Sequence, residues 1–257
     1  MFSAEPSFWQ DRVKASFIHL GLSLAVAALA ALLVFAIWYP YPYREISGGR
    51  ELFLLVVAVD VVLGPLITLA VFNRMKTRAV LSRDLTVVGL LQLAALGYGL
   101  WTVYIARPVH LVFEVDRFRA VHAIEVPLEM LSKISSKVNA MPITGPSLLS
   151  LRPFKDAKEK SDVTMEEIEG LPLAARPDFW QPYPEGVSGV IKAARPVNSL
   201  KERFGSRTAD IERAIAATGR PAATLAYLPL VSRNLTWTVL LDTKTADVVG
   251  YLALDPF

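Results

Sequence analysis

The chain has 257 residues, no Cys, and 27 Lys/Arg against 24 Asp/Glu, a formal net charge of +3. Without Cys there are no disulfides, no thiol nucleophiles and no thiolate metal sites. The basic excess forms no nucleic-acid face, because residues 107–257 hold 19 Lys/Arg and 18 Asp/Glu and the first 106 hold 8 and 6.

Mean hydropathy is +0.39 and 53% of residues are hydrophobic, a surplus gathered in three blocks: Ser16–Trp38, Glu51–Phe72 and Leu85–Ala106. Each is roughly 22 residues, or about 33 Å of helix, enough to cross a hydrocarbon core of about 30 Å. Their only formal charges are Asp60 and the flanking Glu51. With no polar stripe to show water, they read as transmembrane helices and not as an apolar soluble bundle. Arg12, Lys14 and Ala25-Val26-Ala27 resemble a signal peptide, but apolar residues run on to Trp38, which predicts an uncleaved span.

Basic residues set the expected orientation. The connection between the second and third spans carries Arg74, Lys76, Arg78 and Arg83, that between the first and second only Arg44 and Arg50, and the N-terminal arm has Arg12 and Lys14. The positive-inside rule then places the N-terminus in the cytoplasm and everything after Ala106 outside it. Trp38, Tyr39, Tyr41, Tyr43, Trp101 and Tyr104 fall at the outer interface in this topology, as an aromatic belt would.

Polar residues interrupt the apolar spans. Asp60 sits midway along the second block, where an aspartate costs about 2.5–3.5 kcal/mol on insertion scales. It reads either as internal glue, hydrogen-bonded to Tyr98 or Thr102, or as a polar contact to a partner helix or a proton-linked site. Gly64-Pro65 follows one turn on; Pro65 frees the carbonyl of Val61, and Gln92 on the third span lies at a depth to donate to it.

Beyond the spans, Val109–Val115 and Phe118–Val126 read as strands about a turn at Asp116-Arg117, and Pro127 opens a short helix to Val138. Met141–Pro153, broken by Pro142, Gly145-Pro146 and Pro153, reads as a loop. Lys155–Ile168 is helical, with Thr164 and Glu167 resembling a capping box. Gly170–Pro196, rich in Pro and aromatics, reads as an irregular segment or the wall of a groove; Phe179, Trp180 and Tyr183 there read either as partner-contact anchors or as core. Short helices at Leu200–Phe204 and Ala209–Thr218 precede three strands, Thr224–Val231, Leu235–Leu241 and Val248–Leu254, in an antiparallel meander. The expected architecture is a membrane domain of three helices (residues 1–106) followed by an extracytoplasmic α+β domain with antiparallel strands (107–257).

Catalytic signatures are absent: no Gly-rich phosphate loop, no paired His on a helix, no G-x-S-x-G and no S-x-x-K. His19, His110 and His122 are scattered, and Asn234-Leu-Thr236 is a short glycosylation sequon of the kind that recurs by chance. No catalytic residue, cofactor or metal is expected.

Trp38-Tyr-Pro-Tyr-Pro42, Gly48-Gly49, the block Val59–Phe72 and the run Gln92–Tyr104, continued by Arg107–Phe118 and by Tyr227-Leu-Pro-Leu230 and Leu241-Asp242, resemble the type IV pilin accessory proteins of the TfpX/TfpZ kind over essentially the whole chain. The resemblance implies an inner-membrane protein with a periplasmic domain that helps a cognate major type IV pilin into the pilus and so supports twitching motility. It brings no catalytic residues. A membrane sensor is the second reading, against which stands the small cytoplasmic share of the chain. A pilin- or lipid-modifying enzyme is the third, against which stands the missing constellation.

Overall fold

The computed structural model describes residues 6–233 and 235–257; Asn234 of the sequon lies outside the described residues. The chain divides into two compact units. One joins residues up to Ile37 with Gly49–Ile105; the other joins Trp38–Gly48 with Ala106–Phe257.

The first unit is three long apolar helices, Trp9–Trp38, Gly49–Val71 and Arg78–Ile105, each long enough to cross a membrane. The first is helical from Pro6, so Arg12 and Lys14 belong to it and not to a free arm. Large apolar side chains such as Leu22, Leu55 and Leu91 are exposed, a surface that requires lipid around it. The second and third spans approach closely at Gly99, where an added Cβ would stand 2.6 Å from the Val56 side chain.

The second span is not uniformly α-helical. It passes through a π-helical turn at Val59–Leu63 between the α-helical Gly49–Ala58 and Gly64–Val71. In a π register each carbonyl looks five residues ahead for its N–H, and five residues beyond Asp60 stands Pro65, which has none. The orphaned carbonyl is therefore that of Asp60, one residue before the expected Val61. Gln92 Nε2 donates to it at 3.3 Å.

The second unit is a mixed α+β domain on one eight-stranded sheet. Its strands are β1 (Pro108–Glu114), β2 (Arg117–His122), β3 (Ser147–Leu151), β4 (Trp180–Pro182), β5 (Arg195–Pro196), β6 (Leu225–Val231), β7 (Thr236–Asp242) and β8 (Val248–Leu252). Their order is β4-β3-β1-β2-β6-β7-β8, with β5 beside β6. The β6–β7–β8 meander and the β1–β2 hairpin are antiparallel, as the sequence suggests. The pairings β1–β3 and β2–β6 are parallel, unlike the antiparallel strands the sequence leads one to expect.

Both faces of β1 are covered. Leu111 and Phe113 meet Phe118, Leu228, Leu230 and Val239 on one side, while Val109 and Val112 meet Val121, Leu149 and Trp180 on the other. A third cluster, with Leu200, Ile211 and Leu240, seats the helices Asn198–Arg203 and Thr208–Ala217.

Several local expectations need correction. The supposed loop Met141–Pro153 contains β3, because its prolines and glycine flank Ser147–Leu151 without entering it. The second strand ends at His122, where Glu125 Oε2 accepts from the His122 backbone N–H at 2.9 Å and turns the chain into a 3-10 turn. The helix Ala157–Ile168 is capped by Asp156, which accepts from the Glu159 N–H at 2.7 Å; Thr164 is interior and bonds back to the Lys160 carbonyl. The segment Gly170–Pro196 holds β4 and the helix Val187–Ala193.

Trp38–Gly48 also differs from expectation. Tyr39 and Tyr43 are buried in the second unit and are not lipid-facing belt residues. Tyr43 and Ile46 join the Leu228–Val239 cluster, Ser47 Oγ lies 3.2 Å from Ser232 Oγ, and Tyr41 stacks edge-on against Trp237 and Tyr251. A tyrosine at a span's end serves equally as belt or as core, and here the adjoining domain supplies the core.

Candidate functional site

The most chemically distinct place in the first unit is a groove of about 520 Å³ lined from all three spans. Its walls are Leu, Ile, Val and Ala with Phe72 and Gly89; its polar groups are His19, Ser23, Asp60, Thr68 and Gln92. Two side-chain bonds tie the first span to the second. Ser16 Oγ donates to the Pro65 carbonyl at 2.8 Å, and His19 Nδ1 shares a hydrogen bond with Thr68 Oγ1 at 2.5 Å. Ser16 and His19 are three residues apart, as are Pro65 and Thr68, so each pair lies on one helix face. That matched spacing is the signal in the sequence for this contact.

Of the residues singled out within the membrane, Asp60, Gly64, Pro65 and Gln92 are brought together. The Gln92 side chain runs across Gly64 to reach the Asp60 carbonyl, while Pro65 is the reason that carbonyl is free. Tyr98 is not part of this set. It is largely exposed, and its carbonyl takes the Thr102 hydroxyl at 3.0 Å, so neither Tyr98 nor Thr102 serves the Asp60 side chain as expected. Asp60 Oδ1 is shielded and has no hydrogen-bond partner among the described residues. The internal polar tie at this depth is thus made by the Asp60 backbone and not by its carboxyl group.

In the second unit, Phe179, Trp180 and Tyr183 are core, and the surface-anchor reading is corrected. All three are at most 8% exposed. Trp180 Nε1 donates to the Ala174 carbonyl at 2.8 Å, and the Tyr183 hydroxyl donates to the Ala246 carbonyl at 2.6 Å. The Arg152 and Arg176 guanidinium groups lie over the Phe179 ring, 4.0 and 5.1 Å from its centre. With polar atoms and apolar faces both satisfied inside, none of the three can meet a partner without unfolding.

The histidines on strands are likewise interior. His110 Nε2 donates to the Ala140 carbonyl at 3.0 Å, which leaves Nδ1 to accept the Ser147 hydroxyl at 2.7 Å; its ring lies 4.4 Å from that of Trp180. Burial holds its pKa down at about 4, so the ring is neutral at neutral pH. His122 Nδ1 and Arg233 Nε flank the two oxygens of Glu125 at 3.1 and 3.2 Å. Burial pushes Glu125 up, but the bond and charge of His122, with the charge of Arg233, outweigh it and hold the carboxyl below its usual range. Glu114 goes the other way: burial raises it despite the Arg119 bond at 3.0 Å. These groups sit apart in the sheet with local partners. Among the described residues no group of three or more His, Cys, Asp and Glu is placed to hold a metal.

Known proteins supply the context. The family model described as "Fimbrial assembly protein FimB" matches residues 7–48, the first span and the segment that joins the second unit. The "Fimbrial assembly protein, serogroup I" of Dichelobacter nodosus is 34% identical over 246 residues, 95% of each chain. The serogroup E1 protein of the same organism is 33% identical over 246 residues, again 95% of each chain. A third, assigned to serogroups C1 and C2, is 42% identical over 118 residues, 46% of this chain and 90% of its own. No solved structure matches.

Proposed function

The chain belongs to the family of fimbrial assembly proteins, and from that premise we propose that it binds its cognate major type IV pilin in the inner membrane and promotes its entry into the pilus. A role in pilus assembly and three membrane-spanning helices are the frame. The finer reading is an accessory or chaperone that acts by contact and not by turnover. The spans pack beside the apolar helix of membrane-stored pilin, and the outer domain faces the pilin head in the periplasm.

The observation that carries this reading is the similarity along 95% of both chains to proteins named for fimbrial assembly. Two features support it. The membrane unit offers a lateral groove open to an apolar helix. The histidines of the second unit are engaged within its own fold, His110 with Ala140 and Ser147 and His122 with Glu125. The orientation is supported by the second unit itself. Trp38–Gly48 and Ala106–Phe257 form one folded body, so both lie on one side of the membrane, with exactly two spans between them. Together with the basic connection after Val71, this favours a cytoplasmic N-terminus and a periplasmic second unit.

Crosslinking in the native membrane followed by pull-down of the full-length protein tests the proposal. Major pilin is expected in the eluate, and deletion of the gene is expected to lower surface pili and twitching with pilin still synthesised at unchanged mass. A changed pilin mass on deletion points instead to a modifying enzyme. Normal piliation with altered transcription points to a sensor.

A further inference from the structure

We infer that the groove between the three spans is the docking site for one apolar transmembrane helix that carries a hydrogen-bond donor at the depth of Asp60. This rests on the proposed pilin partner and adds where it binds and through which group.

Three observations carry the assignment. The groove is built from all three spans and is apolar apart from a few polar groups. Leu22 and Leu93 on its walls are each 65% exposed, and nothing lies within 4 Å of the point where a Cβ on Gly89 would stand, so a helix backbone can come close there. Asp60 also lines it, with Oδ1 shielded and lacking a hydrogen-bond partner among the described residues. The internal polar requirements of the bundle are met by other groups: Gln92 on the Asp60 carbonyl, Ser16 on the Pro65 carbonyl, His19 on Thr68. The carboxyl group is left over.

The chemistry of the leftover group selects the occupant. Asp60 is the middle residue of the span Gly49–Val71, so lipid headgroups lie about 15 Å away on either side. An acyl chain filling the groove has no donor to offer. A helix of the partner, bearing an amine, amide or hydroxyl at that level, completes the hydrogen bond and buries the apolar walls in the same step.

The test uses the full-length protein in its own membrane with a photocrosslinking phenylalanine derivative at Leu93, in the groove, or at Leu55, exposed elsewhere on the second span. Adducts are detected with antiserum to the major pilin. A pilin adduct is expected from Leu93 and not from Leu55. Asp60→Leu is expected to lower it about three- to thirtyfold, the range of a single membrane hydrogen bond, whereas Asp60→Asn, which keeps an acceptor, retains it. A Cβ at Gly89 meets nothing within 4 Å and Gly89 lines the groove, so Gly89→Leu projects into it and is expected to abolish the adduct even if Asp60→Leu lowers protein level. Equal adducts from both positions, insensitivity to both Asp60→Leu and Gly89→Leu, or adducts only with lipid or with a second copy overturn the assignment. If pilin still co-purifies in those cases, the groove assignment alone falls; if no pilin is captured by any route, the proposed function falls with it.

Discussion

A Cβ on Gly64 would stand 1.8 Å from Gln92 Nε2, so the glycine at this point of the second span is dictated by a glutamine 28 positions further along the chain. The Gln92 side chain passes through that space to reach the Asp60 carbonyl, whose partner in a π register would be the proline at 65.

Gly64→Ala is therefore expected to expel Gln92 and strand the Asp60 carbonyl, at a cost of about 1–3 kcal/mol for a shielded unpaired group. The two positions act as one unit. In a Gln92→Ala background, Gly64→Ala should cost little more, and a double-mutant cycle of thermal unfolding in detergent micelles reads this non-additivity. Additive losses would mean that the contact does not form.

Trp180→Ala is expected to destabilise the second unit by about 3–5 kcal/mol, since it empties a core site and orphans the Ala174 carbonyl. Tyr183→Phe is the milder test: it keeps the ring and removes only the bond to the Ala246 carbonyl, costing about 1–3 kcal/mol. Both should reduce protein level and melting temperature. Pilin captured per folded molecule should not change, and a loss confined to capture at unchanged stability would restore these residues to the surface.

His110 gives the second unit an acid-side dependence. Its folded pKa, about 4, lies below the ordinary histidine value of about 6.5, so the unfolded chain binds the extra proton between those limits. Stability is then full above about pH 6.5, falls as pH drops, and levels off below about pH 4, with up to about 3 kcal/mol involved. Hydrogen exchange of the β1 and β3 amides against pH follows this directly. His110→Gln should flatten the profile in that window, and an unchanged slope would place the titration elsewhere.

Orientation is read with phosphatase fusions. A reporter joined after Phe257 is expected to be active and one inserted at Thr77, in the short connection between the second and third spans, inactive. The reverse pattern would place the folded second unit in the cytoplasm.

Much of this architecture is legible in the residues, and the failures have local causes. The three apolar blocks declare the spans by length alone, and the Val-rich run Val109–Val115 and the apolar run Thr224–Val231 declare strands. Gly64, Pro65 and Gln92 were legible as a group because proline leaves a predictable orphan, yet the acceptor was misplaced by one residue, since the π register is invisible to an α-helical count. The aromatic residues resisted because Trp and Tyr suit an interface, a bilayer edge and a core alike. Burial of Tyr43 depends on Leu228 and Val239, nearly 200 residues away, and no local pattern carries that. β3 was lost because the prolines on either side of its five residues outweigh a short apolar run.

Trp38–Gly48 is synthesised, and the chain then enters the bilayer twice more, before most of the residues that shelter Tyr43 and Ile46 exist. The second unit is thus sewn from two lengths of thread with a membrane hairpin looped between them. Its closing stitch, Ser47 to Ser232, spans 185 positions. Until β6 and β7 leave the ribosome, the early piece waits with its apolar side chains bare. A fragment cut to begin at residue 107 would lack that piece permanently, and the folded domain and its membrane anchor are in this sense a single product of translation order.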